Sequence, residues 1–98
     1  MYTTAAVVLP GMTDVTYDQV TMFGADWCRD CRRSKALLDR LGVDYTYVDV
    51  EADLSAAARA EEISGRKSIP VVVLPNGTHF VEPSDAELQA ELEASNLV

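Results

Sequence analysis

Cysteine, histidine and tryptophan are scarce in this chain, which has two cysteines, one histidine and one tryptophan. Two cysteines cannot form a disulfide network, and alone they cannot fill a tetrahedral metal site. No apolar run approaches the roughly 20 residues that span a bilayer. Basic residues are half as numerous as acidic ones, 8 against 16, for a formal net charge of −8. That balance argues against a nucleic-acid partner, because phosphate binding needs a basic field. Internal repeats and low-complexity linkers are also missing, so 98 residues make one domain with a core that needs no disulfide or metal staples.

The N-terminal block Ala5-Ala6-Val7-Val8-Leu9 lacks a basic leader and is shorter than a secretory core of about 7–15 residues. A cytoplasmic location is therefore expected, where a close-spaced cysteine pair is redox-active or metal-binding rather than a permanent staple. Residues 1–14, with the turn signal Pro10-Gly11, read as a tail or an extra edge strand, and 15–98 as the domain proper.

The two cysteines stand together, in Trp27-Cys28-Arg29-Asp30-Cys31. Before them, Asp18 to Gly24 alternates apolar and polar side chains and reads as a strand. After them, Cys31, Ser34, Leu37, Leu38 and Leu41 recur at helical spacing, and Gly42 follows as a cap. Asp44 to Val50 alternates again, with Tyr45 and Tyr47 on one face. A strand, a helix of about three turns and a second strand make a parallel crossover, with the cysteines at its first turn.

Asp53 to Ser64 is alanine-rich and ends at Gly65, which predicts a second helix with Leu54, Ala57, Ala58 and Ile63 as its apolar stripe. Ile69-Pro70 introduces the apolar strand Val71 to Leu74. Pro75-Asn76-Gly77-Thr78 is a turn, and His79-Phe80-Val81 a short return strand. Ser84-Asp85-Ala86-Glu87 is a capping box opening a last helix, with Leu88 and Leu92 facing the core.

At the start of the first helix, Cys28 would meet unsatisfied backbone N–H groups and the positive end of the dipole, which favour an anionic sulfur. Cys28 is thus the expected nucleophile. Cys31, one turn inside, is less exposed and placed to attack a mixed disulfide on Cys28, as a resolving thiol. Arg29 and Arg32 add positive potential there, and Asp26 and Asp30 oppose it. A structural disulfide is the alternative, but closing so short a loop removes little unfolded-state entropy. A metal site shared across a dimer, with His79 as the other ligand, is a second alternative. Trp27, beside the nucleophile, is read as an exposed docking surface, and His79 as facing solvent.

The order β-α-β-α-β-β-α, with Trp27-Cys28-Arg29-Asp30-Cys31 after the first strand and Ser68-Ile69-Pro70 before the third, resembles the thioredoxin superfamily, and its glutaredoxin branch best. The resemblance covers about Asp18 to Ala94. It implies an α/β thioredoxin fold with a four-stranded mixed sheet. It also implies that Pro70 is cis beside the cysteines, with the backbone of Ile69 free to pair with substrate.

Typical glutathione-binding glutaredoxins carry a basic residue shortly before the nucleophile and a Gly-Gly pair ahead of the last helix. Here Ala25-Asp26 and Glu82-Pro83 stand in those places. Together with the Trp-Cys start and Gly65-Arg66-Lys67-Ser68-Ile69-Pro70, this is similar to mycoredoxins, which use mycothiol. A related group supplies electrons to ribonucleotide reductase and is recharged by thioredoxin reductase.

What the resemblance implies is a monomeric thiol–disulfide oxidoreductase with no bound cofactor or metal. Its substrates are disulfide-containing proteins, and its reductant is a small thiol, mycothiol or glutathione, or thioredoxin reductase. Ser84 and Asp85 match the helix start that holds the small thiol's amino-acid end, and Arg66 or Lys67 would neutralise a carboxylate. The alternative is a module carrying an iron–sulfur cluster between two subunits.

Overall fold

The computed structural model describes residues 17–98; the expected tail or edge strand of 1–14 lies outside them. Along the chain run β1 (Val20–Gly24), α1 (Arg29–Leu41), β2 (Tyr45–Asp49), α2 (Leu54–Ser64), β3 (Val71–Val73), β4 (His79–Val81) and α3 (Asp85–Ala94). The sheet order is β2-β1-β3-β4; β1 and β2 are parallel, and the β1–β3 and β3–β4 pairs are antiparallel. This is the expected β-α-β-α-β-β-α arrangement with a four-stranded mixed sheet.

Alternation along the strands sends two sets of side chains to opposite faces. Val20, Met22, Val72 and Leu74 pack with Leu37 and Leu38 of α1 and Leu88 and Leu92 of α3. Phe23, Val71 and Val73 pack with Ala56 and Ala60 of α2. Burying each of the four helix leucines stabilises the fold by about 1.5–3 kcal/mol. Both faces being covered, every residue of β1 is buried, including polar Thr21.

Tyr45 and Tyr47 join the α1/α3 side, and Val48 and Val50 the α2 side, as their alternation implies. The α2 stripe differs from its expected phase: Ala56 and Ala60 are buried, Ile63 is half-buried, and Leu54 is 81% exposed. Small alanines pack this helix close to the sheet, and the bulkier Leu54 points away. Gly42 closes α1 at φ 72, the left-handed conformation that glycine adopts without a Cβ penalty. At α3, Ser84 and Glu87 complete the capping box reciprocally.

Candidate active site

The C-terminal edge of β1 delivers the chain to α1 through Ala25-Asp26-Trp27, and Cys28 is the residue that caps the helix. Its backbone is extended (φ −80, ψ 117), and the N–H of Cys31 donates to its sulfur at 3.2 Å. Its own N–H donates to the carbonyl of Ala25 at 3.1 Å. An amide donor and the positive end of a 13-residue helix both favour negative charge on that sulfur. The Cys28 sulfur also lies 3.9 Å from the carbonyl oxygen of Ile69, which brings the Ile69-Pro70 segment against it across 41 residues of sequence. The Ile69–Pro70 bond is cis, as the resemblance implied, and Pro70 is buried.

The two sulfurs differ in surroundings. Cys28 is 7% exposed, more covered than an open nucleophile would be, and Cys31 is 1% exposed. Burial pushes the Cys31 thiol up to about 12; the hydrogen bond and charge of Cys28 and the charge of Asp30 add to this, and an Ala25 backbone hydrogen bond opposes it. Cys31 therefore keeps its proton at neutral pH. Behind it stands Gly24, where a Cβ would lie 3.0 Å from the Cys31 sulfur, 3.1 Å from its Cβ and 3.3 Å from the Tyr47 hydroxyl. Only a residue without a side chain lets all three groups sit this close.

Side chains fix the surrounding loops. Arg32 Nη1 donates to the Asp26 carbonyl at 2.7 Å, and Trp27 Nε1 donates to Glu51 Oε2 at 2.6 Å. Arg33 Nη2 donates to the Pro83 carbonyl at 3.0 Å, and its guanidinium lies 3.4 Å from the carboxylates of both Asp30 and Asp85. Both ion pairs are about 40% exposed (42%/41% and 42%/42%), so they orient groups more than they stabilise the fold.

A groove of about 360 Å³ adjoins the cysteines through Ile69. Val50, Ala57 and Ala60 line it, and Arg66, Lys67 and Glu61 supply its charge.

The expected residues thus fall into three groups. Cys28, Cys31, Ile69 and Pro70 form the centre, with Trp27 beside it, 64% exposed. Arg66 and Lys67 stand on the groove, and Arg29 is exposed on α1. Ser84 and Asp85 begin α3, the serine side chain in the capping box and the aspartate against Arg33. His79 is exposed and pairs with Val73, away from the cysteine end of the sheet. Gly24, Glu51, Arg33 and Tyr47 were not singled out from sequence. Their contacts are long-range, and only the position of Arg33, one turn after Asp30, carries a local signal. Among the described residues, no three His, Cys, Asp or Glu side chains cluster as metal ligands, and no helix is long and apolar enough to cross a membrane.

Comparison with known proteins agrees with this geometry. Mycoredoxin 1 of Corynebacterium glutamicum is 36% identical over 76 residues, covering 76% of this chain and 94% of that protein. The crystal structure of a glutaredoxin from Archaeoglobus fulgidus matches with a TM-score of 0.67 and 28% identity, over 74% of this chain and 83% of its own. The solution structure of glutaredoxin from Brucella melitensis matches at 0.58 and 30% identity, over 79% of each chain. The glutaredoxin family model covers residues 20–80, from the first strand through both cysteines and Pro70 to the hairpin. With a Cys-x-x-Cys pair whose first cysteine caps the first helix, the chain belongs to the glutaredoxin family of thiol–disulfide oxidoreductases.

Proposed function

We propose that this protein is a cytoplasmic, monomeric reductant of protein–small-thiol mixed disulfides and of protein disulfides, with mycothiol as its small thiol. The observation that carries this reading is the inequality of the two sulfurs: the Cys31 amide points at Cys28, whereas the Cys31 thiol is buried and holds its proton. Cys28 thiolate attacks the substrate disulfide, a new S–S bond forms, and the displaced thiolate leaves with the electron pair. Two routes then free Cys28. Cys31 closes the Cys28–Cys31 disulfide and expels the bound group, or an incoming small thiol takes that group directly. The closed disulfide is recharged by small thiol or by thioredoxin reductase.

Three features support mycothiol over glutathione. The similarity to mycoredoxin 1 spans nearly all of that protein. Glu82-Pro83 replaces the glycine pair of the glutathione pattern. At the start of α3, an amino-acid end held by Ser84 and Asp85 would share Asp85 with Arg33 at 3.4 Å and the Ser84 side chain with the capping box. Trp27 and the Arg66/Lys67 groove are the proposed contacts for the protein part of the substrate, with the Ile69 backbone between them and Arg29 at the rim.

The test is a pair of variants assayed on two substrates. Cys28→Ser is expected to abolish both reactions. Cys31→Ser is expected to keep mixed-disulfide reduction and lose protein-disulfide reduction; equal loss in both variants contradicts the assigned roles. Offering the oxidised protein mycothiol, glutathione and thioredoxin reductase separately identifies the reductant, and preference for glutathione removes the mycothiol assignment.

A further inference from the structure

Helix α2 carries two apolar stripes. Ala56, Ala60 and Ile63 pack on the sheet side. Leu54, Ala57 and Ala58, at i, i+3 and i+4, form a second stripe turned from the core: Leu54 is 81% exposed, Ala58 is exposed and Ala57 is half-buried. Ala57 and Ala58 line the groove of about 360 Å³ together with Val50 and Ile69. Leu54 stands one turn before them and three residues after Glu51, whose carboxylate holds the Trp27 indole. Of the three large apolar side chains exposed among the described residues, Trp27 and Leu54 thus adjoin this one surface.

The two ends of the groove differ in chemistry. At one end the carbonyl oxygen of Ile69 lies 3.9 Å from the Cys28 sulfur. At the other, Arg66 and Lys67 are exposed, and among the described residues neither makes an ion pair. The Ser64 hydroxyl fixes the turn that presents Arg66, donating to its carbonyl at 2.8 Å and accepting from its N–H at 3.2 Å. Glu61 shares the rim and leaves it cationic by one charge, in a molecule of net charge −8. An acidic segment is repelled by most of this protein and accepted here, which fixes how it docks.

The spacing defines the occupant. Three residues separate Ile69 from Arg66, at most about 10 Å of chain. A peptide laid along this segment with its cysteine at Cys28 brings its third residue to Arg66. Alternate side chains of an extended chain point the same way, so the first and third residues from the cysteine face the groove together.

We propose that this groove docks an extended, acidic segment of the protein substrate, with an apolar side chain beside the reactive cysteine against Leu54, Ala57 and Ala58, and a carboxylate three residues from it on Arg66 and Lys67. The protein thereby selects disulfides set in apolar-then-acidic sequence. The inference deepens the reading that protein disulfides are substrates, and rests on it.

The experiment uses acetylated and amidated tetrapeptides whose cysteine carries thionitrobenzoate in a mixed disulfide. Cys28 thiolate attacks the peptide sulfur and the Cys28–peptide disulfide forms. Thionitrobenzoate, the better leaving group, departs with the electron pair and is read by its absorbance. One peptide has leucine next to the cysteine and glutamate at the third place from it. A second has lysine for the glutamate and a third has serine for the leucine, and each is made in both chain directions. Dividing each rate constant by that of dithiothreitol with the same probe removes the intrinsic reactivity of the disulfide.

In one chain direction the leucine–glutamate peptide is expected to react at least about fivefold faster than either of the others at low ionic strength, a modest share of what a buried leucine or a repelled charge is worth. Added salt should weaken the charge preference and spare the apolar one. Arg66→Glu combined with Lys67→Glu is expected to reverse the order of the glutamate and lysine peptides, which loss of fold cannot do. Leu54→Ser should narrow the leucine-to-serine ratio at least about twofold.

Equal normalised rates for all three peptides in both directions overturn the docking groove and leave the chemistry of Cys28 standing. An order unchanged in the charge-reversed variant overturns the role of Arg66 and Lys67. Faster reaction with glutathione–thionitrobenzoate than with any peptide, lost in that variant, shows that the rim holds a small thiol's carboxylate instead. Release from none of the probes removes the thiol–disulfide reading itself, and the groove falls with it.

Discussion

The indole N–H of Trp27 donates to the carboxylate of Glu51 at 2.6 Å, tying the residue before the nucleophile to the loop after β2. An exposed indole held at one end is a pre-oriented docking surface, which loses less freedom when a partner binds than an unrestrained one. Glu51→Ala is expected to raise KM for a protein disulfide about fivefold with kcat unchanged, the equivalent of one net hydrogen bond of ~1 kcal/mol. Because Trp27 is the only tryptophan, its fluorescence reports release of the ring directly. Unaltered emission in Glu51→Ala would show that the contact does not hold it.

The Cys31 thiol makes the reduced protein sensitive to alkali. Its folded-state value is raised from 9.0 to about 12, so between those limits the unfolded chain gives up a proton that the folded chain retains. The contribution is fully present below pH 9.0 and is lost as pH rises toward 12. Tyr45, beside Asp39, and Tyr47 are raised from 10.0 to about 12 and act with the same sign. Melting temperatures of the reduced protein should fall through this window, and those of Cys31→Ser should fall less. Parallel curves would refute the assignment.

Glu82 occupies φ 51, a conformation that costs a side-chain-bearing residue about 1–2 kcal/mol. Its N–H donates to the carbonyl of Pro70 at 2.9 Å, so the turn is held from the active-site side. Glu82→Gly relieves that cost but adds unfolded-state entropy of about 0.5–1 kcal/mol. A net gain of roughly 0.5–1 kcal/mol is expected, which for a domain of this size raises Tm by several degrees. Thermal denaturation checks it, and a lowered Tm would show that the glutamate side chain contributes more than its backbone costs.

The same turn shows what could be read from sequence. Glu82-Pro83 was recognisable as a departure from a glycine pair, but a positive φ at glutamate has no local signature. The elements themselves were legible where periodicity and punctuation coincided: Gly24 and Gly42 bound the first crossover, and Ser84 to Glu87 spell out their own cap.

The helix α2 lies where the alanine-rich segment predicts it, but of the expected stripe only Ile63 packs with the buried alanines, and Leu54 is exposed. Leu54 suggested the buried phase, but Ala56, Ala60 and Ile63, at i, i+4 and i+7, are the residues that face the sheet. Alanine gives too little hydrophobic contrast to fix the phase of an 11-residue helix. At the site, Cys28, Cys31 and Pro70 were visible because their spacing is a motif. Glu51 and Tyr47 were not, because each acts through a contact between elements far apart in the chain.

The two arginines that follow Cys31 impose a constraint of angular phase on α1. Arg32 reaches back to Asp26 and Arg33 across to Pro83, so the helix that presents the cysteines also fastens the loops on either side. A single residue inserted after Cys31 would rotate everything beyond it by about 100°, turning both guanidiniums from their carbonyls and Leu37 and Leu38 from the core. Arg29 and Asp30 can vary in identity far more freely than this segment can vary in length, so natural or engineered diversity in the motif should come by substitution and not by insertion.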